Sequence, residues 1–276
     1  ISVEYSGKVD LIEKPWDIFI KNGDQIRLDF EILTKDRKSI SIDDPHTRIY
    51  NEKNIFVEEG AEVKAAILNA ENGPIYIGKN AKIHEGAIIR GPFALCEFGQ
   101  VNMGAKIRGD STFGPHTKVG GEVANSVIMG YLGSSVIGEW CNLGADTNTS
   151  TMKNNYTKIK MWDYSKDSFV KTGLQFCGLI MGDHSKCGIN TMFNIGTVVG
   201  VSANIFGSGY QRNVIPSFSW GGSKGFTIYK LSKAKETAAK AKLRKMDEWS
   251  QGDENIFDEI FERSTKYRIW ENKNEL

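Results

Sequence analysis

Between Ile77 and Val119 the chain places an apolar residue at every sixth position: Ile77, Ile83, Ile89, Leu95, Val101, Ile107, Phe113 and Val119. These four residue types make up roughly a quarter of the chain, so eight consecutive matches are about a 10⁻⁵ event, and the spacing is a repeat. Four residues after each of these positions stands a second set: Ala81, Ala87, Phe93, Gly99, Ala105, Ser111, Thr117 and Val123, most of them small. From Met181 the rule returns through Cys187, Phe193, Val199 and Ile205, with Ser185, Thr191, Thr197 and Ala203 at the small position. Ile137 and Leu143 form a short block in between. A helix would repeat every 3.6 residues and a half-buried strand every 2, so neither explains a period of six. A triangular coil does, with three short strands per turn, each sending one aliphatic side chain inward and placing a small residue near the bend.

The predicted fold class is therefore all-β, a parallel β-helix of hexapeptide repeats whose eighteen-residue coils stack at about 4.8 Å. A solenoid exposes strand edges at both ends and needs caps. Lys230 to Trp249 is rich in Ala and Lys and reads as a helix. Asn255 to Ser264 repeats Ile256, Phe257, Ile260 and Phe261 as a helical face. Residues 1–52 read as a mixed linker region with a short helix from Pro15 through Phe19 and a turn at Asn22-Gly23. The expected division is a linker or remnant of an N-terminal domain over 1–52, the β-helix over 53–225 and a C-terminal helical segment over 226–276.

The repeat breaks inside IGEWCNLGADTNTSTMKNNYTKIKMW, Ile137 to Trp162, where Asn, Thr, Ser and Lys take over. We read the interval of about 146–178 as an inserted loop, long enough to reach a neighbouring subunit and carrying amides suited to a neutral sugar.

Composition narrows the partners. The chain has 276 residues, 40% of them hydrophobic, and a formal charge of +1, which argues against nucleic-acid binding. Cys96, Cys141, Cys177 and Cys187 show no CxxC spacing and read as free core thiols, with no metal expected. No apolar run reaches the roughly 18 residues of a membrane span, and no signal-peptide pattern opens the sequence, so the expectation is a cytoplasmic protein without membrane contact. The first residue is Ile1, which we take as the start of a chain whose first part is not represented.

The segments YLGSSVIGEWCNLGADTNTS, NNYTKIK, QFCGLIMGDHSKCGINTMFNIGTVVG and IPSFSWGG resemble the acetyltransferase half of the bifunctional glucosamine-1-phosphate N-acetyltransferase / N-acetylglucosamine-1-phosphate uridylyltransferases. The resemblance runs from about Trp16 to Lys233. It implies a left-handed parallel β-helix that assembles as a homotrimer, with acetyl-CoA as co-substrate in the groove between neighbouring β-helices. The nucleotide loop of that family's first half is missing here, so uridylyl transfer, and any Mg it requires, would belong to an N-terminal nucleotidyltransferase domain outside this chain.

The reaction so implied is attack of an amino-sugar phosphate amine on the acetyl-CoA thioester. By resemblance, Tyr131, Asn142, Asn155 and Tyr156 bind the sugar or position the acetyl group. Ala145 offers backbone to the thioester, and Ile189 and Gly207 line the acetyl-CoA groove. Each has a plainer reading: Asn142 as a coil-corner amide, Asn155 and Tyr156 as a solvated loop, Tyr131 as a stacked aromatic, Ile189 and Gly207 as packing. The family's phosphate-binding Arg and Lys fall near Glu97 and Asn125, which cannot replace them. Arg90, Lys106, Arg108 and Lys118 are the basic candidates nearby, against a default of exposed side chains on a solenoid face. The family's catalytic histidine precedes the YLG segment, but here VIMG runs directly into it. His184 in MGDHSK is the candidate in its place, against a corner histidine without chemistry.

Two functional readings follow. One is an acetyl-CoA-dependent N-acetyltransferase of UDP-N-acetylglucosamine-type sugar-nucleotide synthesis. The other is a trimerisation or regulatory scaffold for a sugar nucleotidyltransferase, its acyl site degraded. A third, a hexapeptide carbonic anhydrase, would need three suitably placed zinc histidines, and His84 and His116 do not supply them.

Overall fold

The computed structural model describes residues 9–128 and 133–270. They form a parallel β-helix of about nine turns with few helices. One side is a continuous nine-stranded parallel sheet from Ile55–Val57 to Val214–Ile215. The second side begins with Glu62–Val63, Lys82–Ile83, Gln100–Val101 and Lys118–Val119. It continues, in a separate sheet, through Asn142–Leu143, Lys186–Cys187, Asn204–Ile205 and Ser219–Gly222. The third side runs from Arg48–Tyr50 through Ile67–Asn69, Ile88–Arg90 and Lys106–Ile107 to Glu122–Val123, and resumes at Asn148–Thr149 and Met192–Phe193.

The period of six is the inward side chain of each side. Ile77, Leu95 and Phe113 face one another in register on the first side, eighteen residues apart, and Ile83, Val101 and Val119 do so on the second. All are at most 1% exposed, and Met181, Cys187, Phe193, Val199 and Ile205 rebuild the same interior higher up at 0–5%. Burying each aliphatic side chain contributes about 1.5–3 kcal/mol, and it does so only if the register is kept. The small positions Ala81, Ala87, Ala105, Ser111 and Ala203 are likewise fully buried, at 0% exposure. Other coils depart from this spacing: Ile55 lies opposite Ile75, Lys106 opposite Glu122, Val127 opposite Val136, and Val136 opposite Ile180 across the insertion.

The corners carry a second period of six. Asn80, Gly86, Phe98, Gly104, Asp110 and His116 have left-handed φ values of 55–73°, and Trp140, Asp146, His184, Asn190, Gly196 and Ser202 continue the series. That is how three flat strands turn within eighteen residues. Gly and Asn take this conformation at little cost, whereas bulky residues such as Phe98 and Trp140 are unusual in it.

A helix, α1 (Asp17–Thr34), lies on the outer face of the nine-stranded side. It does not end at Phe19, and Asn22-Gly23 is no turn. Phe19, Asn22, Gly23 and Ile26 are the buried face of one continuous helix. Asn22 Nδ2 donates to the Asp110 carbonyl at 2.7 Å, and Thr112 Oγ1 donates to Asn22 Oδ1 at 2.8 Å. Gly23 is small because Asp110 occupies the space a side chain would need.

The inserted segment departs from its predicted form. The coil continues through Asn148–Thr149, which pairs with Met192–Phe193, before the chain leaves it. The insertion then folds back as an antiparallel hairpin, Lys160–Asp163 with Ser168–Lys171. Ile159, Met161 and Cys177 pack with Trp16, Phe19 and Val198 in a second apolar cluster, and Lys14 Nζ pairs with Asp163 at 2.5 Å. At the far end, strand Gly225–Ile228 turns antiparallel on Ser219–Gly222 and leads into α2 (Leu231–Leu243), which stops short of the predicted Trp249. A third helix, α3 (Gln251–Ser264), starts with a Ser250/Asp253 capping box and is clamped to α2 by Lys235–Glu254 and Lys242–Asp253. Phe218, Ala234, Ala238 and Phe257 are the buried seam.

Replacing Asn22 with Ala removes both polar ties and strands the Asp110 carbonyl, which should weaken docking of α1 by about 1–3 kcal/mol. Amide exchange should accelerate over 17–34 and change little in the solenoid strands. Unchanged exchange in α1 would show that apolar contact alone holds it.

Candidate functional site

Pairing on the upper second side places Asn142, Lys186, Asn204 and Trp220 opposite one another on four successive strands. Their neighbours Leu143, Cys187 and Ile205 fill the interior, so this column faces outward. Two residues beyond Leu143, Cys187 and Ile205 come Ala145, Ile189 and Gly207. The three residues proposed for the acyl donor thus occupy equivalent corner positions on successive coils, and Asn190 N–H donates to the Ala145 carbonyl at 2.9 Å. Ile189 is 71% exposed, and Phe206 and Trp220, edge to face at 5.4 Å, are more than two-fifths exposed. Gly144 holds the coils close, because a Cβ there would sit 2.4 Å from the backbone of Gly188 and Ile189.

Past that corner, where the insertion begins, Ser150, Lys153, Asn154, Asn155, Asn194 and Tyr210 surround an open cleft of about 420 Å³. Asn155 Oδ1 accepts from Thr157 N–H and Oγ1–H. Tyr156 has φ 58° and is 65% exposed. With Ile195 as its apolar part, the cleft carries amides, hydroxyls and one lysine able to bond the hydroxyls of a neutral sugar.

The other predicted residues distribute differently. Tyr131, and with it the Gly130-Tyr131 junction, lies outside the described residues. Arg90, Lys106 and Arg108 sit on the lower third side, away from Asn142, and Arg108 is paired with Glu122. Lys118 is on the second side with Asn142, but in the lower sheet.

His184 is buried under the C-terminal helices. It occupies a corner with φ 58°, is 7% exposed, stacks on Trp140 and is covered edge-on by Trp249 and Phe257. Its Nδ1 has no hydrogen-bond partner among the described residues. Burial first, and then the charge of Lys186, lowers its pKa to about 4. The imidazole packs against the C-terminal helices as part of the cap.

Sequence reading missed Lys186. It stands beside Asn142, half-buried, its Nζ donating to the His184 carbonyl at 3.0 Å, and burial lowers its pKa. Its signal was the outward position just before the repeat residue Cys187, opposite Asn142 in the earlier block. The four thiols are free. Burial pushes Cys141 and Cys177 up to about 12, so neither offers a thiolate. Among the described residues no cluster of His, Cys, Asp and Glu could hold a metal ion, and no helix is long and apolar enough to cross a membrane.

Residues 1–38 match the family described as sugar nucleotidyl transferase. Over 223 residues the chain is 26% identical to the bifunctional sugar-1-phosphate nucleotidylyltransferase/acetyltransferase of Sulfurisphaera tokodaii, covering 77% of this chain and 48% of that protein. The chain therefore spans about half the length of this curated relative. Among solved structures, a mutant of AntD, an N-acyltransferase from Bacillus cereus in complex with dTDP and coenzyme A, aligns at 14% identity and a TM-score of 0.31, over 72% of this chain and 91% of that one. The polySia-specific acetyltransferase NeuO aligns at 14% identity and a TM-score of 0.32, over 73% and 97%.

The burial of His184 has a pH signature. A free imidazole titrates near 6.5 and the folded one at about 4. Between these values the unfolded chain binds more protons, so stability falls as pH drops through that window, by on the order of 3 kcal/mol. Phe at position 184 keeps the aromatic packing without titrating. The urea midpoint of His184→Phe should therefore fall less than that of the unaltered chain between pH 7 and pH 4.5. Equal falls would remove His184 as the cause.

Proposed function

We propose that this chain is the acyl-transfer part of a longer bifunctional sugar-1-phosphate nucleotidyltransferase/acetyltransferase, moving an acetyl group from acetyl-CoA to the amine of an amino-sugar phosphate of the glucosamine-1-phosphate type. The observation that carries this reading is the alignment of Ala145, Ile189 and Gly207 on one corner, between the Asn142 column and the amide-lined cleft of Asn155. Support for the wider context is the match of residues 1–38, which we read as the remnant or linker of a preceding nucleotidyltransferase domain, the solenoid itself starting at Arg48–Tyr50 and not at residue 53. The curated relative's name joins the same two activities.

In this reading the pantetheine arm runs along the corner, where Ala145 and Gly207 leave room and Ile189, Phe206 and Trp220 give an apolar edge. The sugar sits toward Asn155 and Tyr156, and Lys186 provides the cation for its phosphate that Glu97 and Asn125 cannot. The neutral amine attacks the thioester carbonyl; the C–N bond forms, the C–S bond breaks, and the thiolate of coenzyme A leaves. The amine's proton passes to solvent and the thiolate is protonated in turn, so the balance closes without His184. Asn142 faces the carbonyl oxygen as its charge develops. The assembly is a homotrimer in the cytoplasm, with the groove completed by a second subunit. Tyr131 belongs to the sugar side in this proposal.

Thiol release from acetyl-CoA with glucosamine-1-phosphate, measured on the intact gene product, tests the reading. Asn142→Ala should lower kcat about 10²-fold. Lys186→Met should raise the KM for the sugar phosphate about tenfold and leave that for acetyl-CoA nearly unchanged. Absence of both coenzyme A binding and turnover would overturn the proposal. In that case a trimeric, catalytically silent particle would favour the second reading, a scaffold for the nucleotidyltransferase, for which the enclosed His184 is the specific support.

A further inference from the structure

On the lower second side, two columns run side by side up four coils. The corner column holds Gly60, Asn80, Phe98 and His116, while the outward strand positions hold Glu62, Lys82, Gln100 and Lys118. At about 4.8 Å per coil they span about 14 Å. Lys245, just beyond α2, overhangs them, and together they enclose an open cleft of about 400 Å³.

Its chemistry is specific. Phe98 and His116 stack face to face at 4.9 Å and 1°, and Phe98 is 43% exposed. Both are in the left-handed conformation, where the chain uses Asn or Gly at comparable corners and where a bulky ring is unfavourable. Higher up the same side the aromatic corners His184 and Phe218 are covered by Trp249, Phe257 and Phe261, but α2 and α3 do not cover Phe98. Glu62 neutralises Lys82, with Nζ at 2.8 Å. Among the described residues neither Lys118 nor Lys245 has a carboxylate partner. The partly exposed Phe98 ring, backed by His116, therefore lies beside two cations without carboxylate partners among the described residues, with the amides of Gln100 and Asn80 in the same cleft.

We propose that this cleft is a nucleotide site, separate from the acyl-transfer groove: a base packs on the exposed side of Phe98, which His116 backs, and a di- or triphosphate lies between Lys118 and Lys245. Stacking gives tolerance of base identity and the lysines demand the phosphate. A free inorganic anion would leave the aromatic step unused.

ADP and UDP, titrated separately into the full chain, test this by calorimetry and by saturation transfer to the base protons. Both nucleotides should bind with sub-millimolar dissociation constants, and uridine and inorganic phosphate should each bind at least about tenfold more weakly. Phe98→Leu should weaken both nucleotides about tenfold, Phe98→Tyr should retain them, and Lys245→Gln should weaken them and flatten the salt dependence. Matching circular dichroism and thermal melts would establish that the variants are folded. Three results would overturn the proposal: no binding of either nucleotide, phosphate binding as tightly as the diphosphates, or nucleotide binding indifferent to both Phe98→Leu and Lys245→Gln. The last would place the ligand elsewhere, including on the acyl-donor corner.

Discussion

Three flat strands can close into a triangle only if each sends a single apolar side chain into an interior barely wider than that side chain. The period of six follows from this constraint, and so does the register. A slip of one residue would expose Ile77, Leu95 and Phe113 together and bury their polar neighbours. Parallel pairing, at eighteen-residue intervals in the regular coils and at other lengths where the chain loops out, thus holds the outward side chains of paired strands at fixed heights and on a fixed side. Asn142, Lys186, Asn204 and Trp220 form a column for the same reason that Leu143, Cys187 and Ile205 form the core beneath them.

What distinguishes the outward surfaces is what covers them. The nine-stranded side is overlaid by α1 and the inserted hairpin, through the cluster of Trp16, Phe19, Ile159, Met161 and Val198. The corner bearing His184 and Phe218 is sealed by the helices after the solenoid. The upper corner with Ile189 and the lower one with Phe98 keep their apolar groups exposed. Cover and exposure therefore divide residues of the same type: one aromatic corner becomes part of a cap, and another is left to meet a ligand.

The same division separates two histidines that sequence alone treats as equivalent. His116 stacks on an exposed Phe98 beside Lys118, whereas His184 is enclosed by Trp140, Trp249 and Phe257 and kept neutral by burial. Lys186 is the counterpart: a lysine unremarkable in sequence becomes half-buried once the coil below puts Asn142 beside it.

The solenoid is legible in the residue pattern, because a period of six is imposed by local geometry and recurs in every coil from Ile77 to Val119 and again from Met181. That Ala145 shares a corner with Ile189 and Gly207 was suggested only by resemblance, because the insertion separates Leu143 from Cys187 by a distance that is no multiple of six, and the pairing of these two strands is what aligns them. The residue pattern did not determine the length of α1, the fold-back of the insertion or the fate of His184. Asn22-Gly23 reads locally as a turn, and only docking on Asp110 and Thr112 makes it a helical contact face. Ile159 and Met161 are separated by polar residues, and their shared burial depends on Trp16 and Phe19, more than a hundred residues earlier. These outcomes depend on surfaces brought together across the chain. No local period records them, because they arise from packing between segments far apart along the chain.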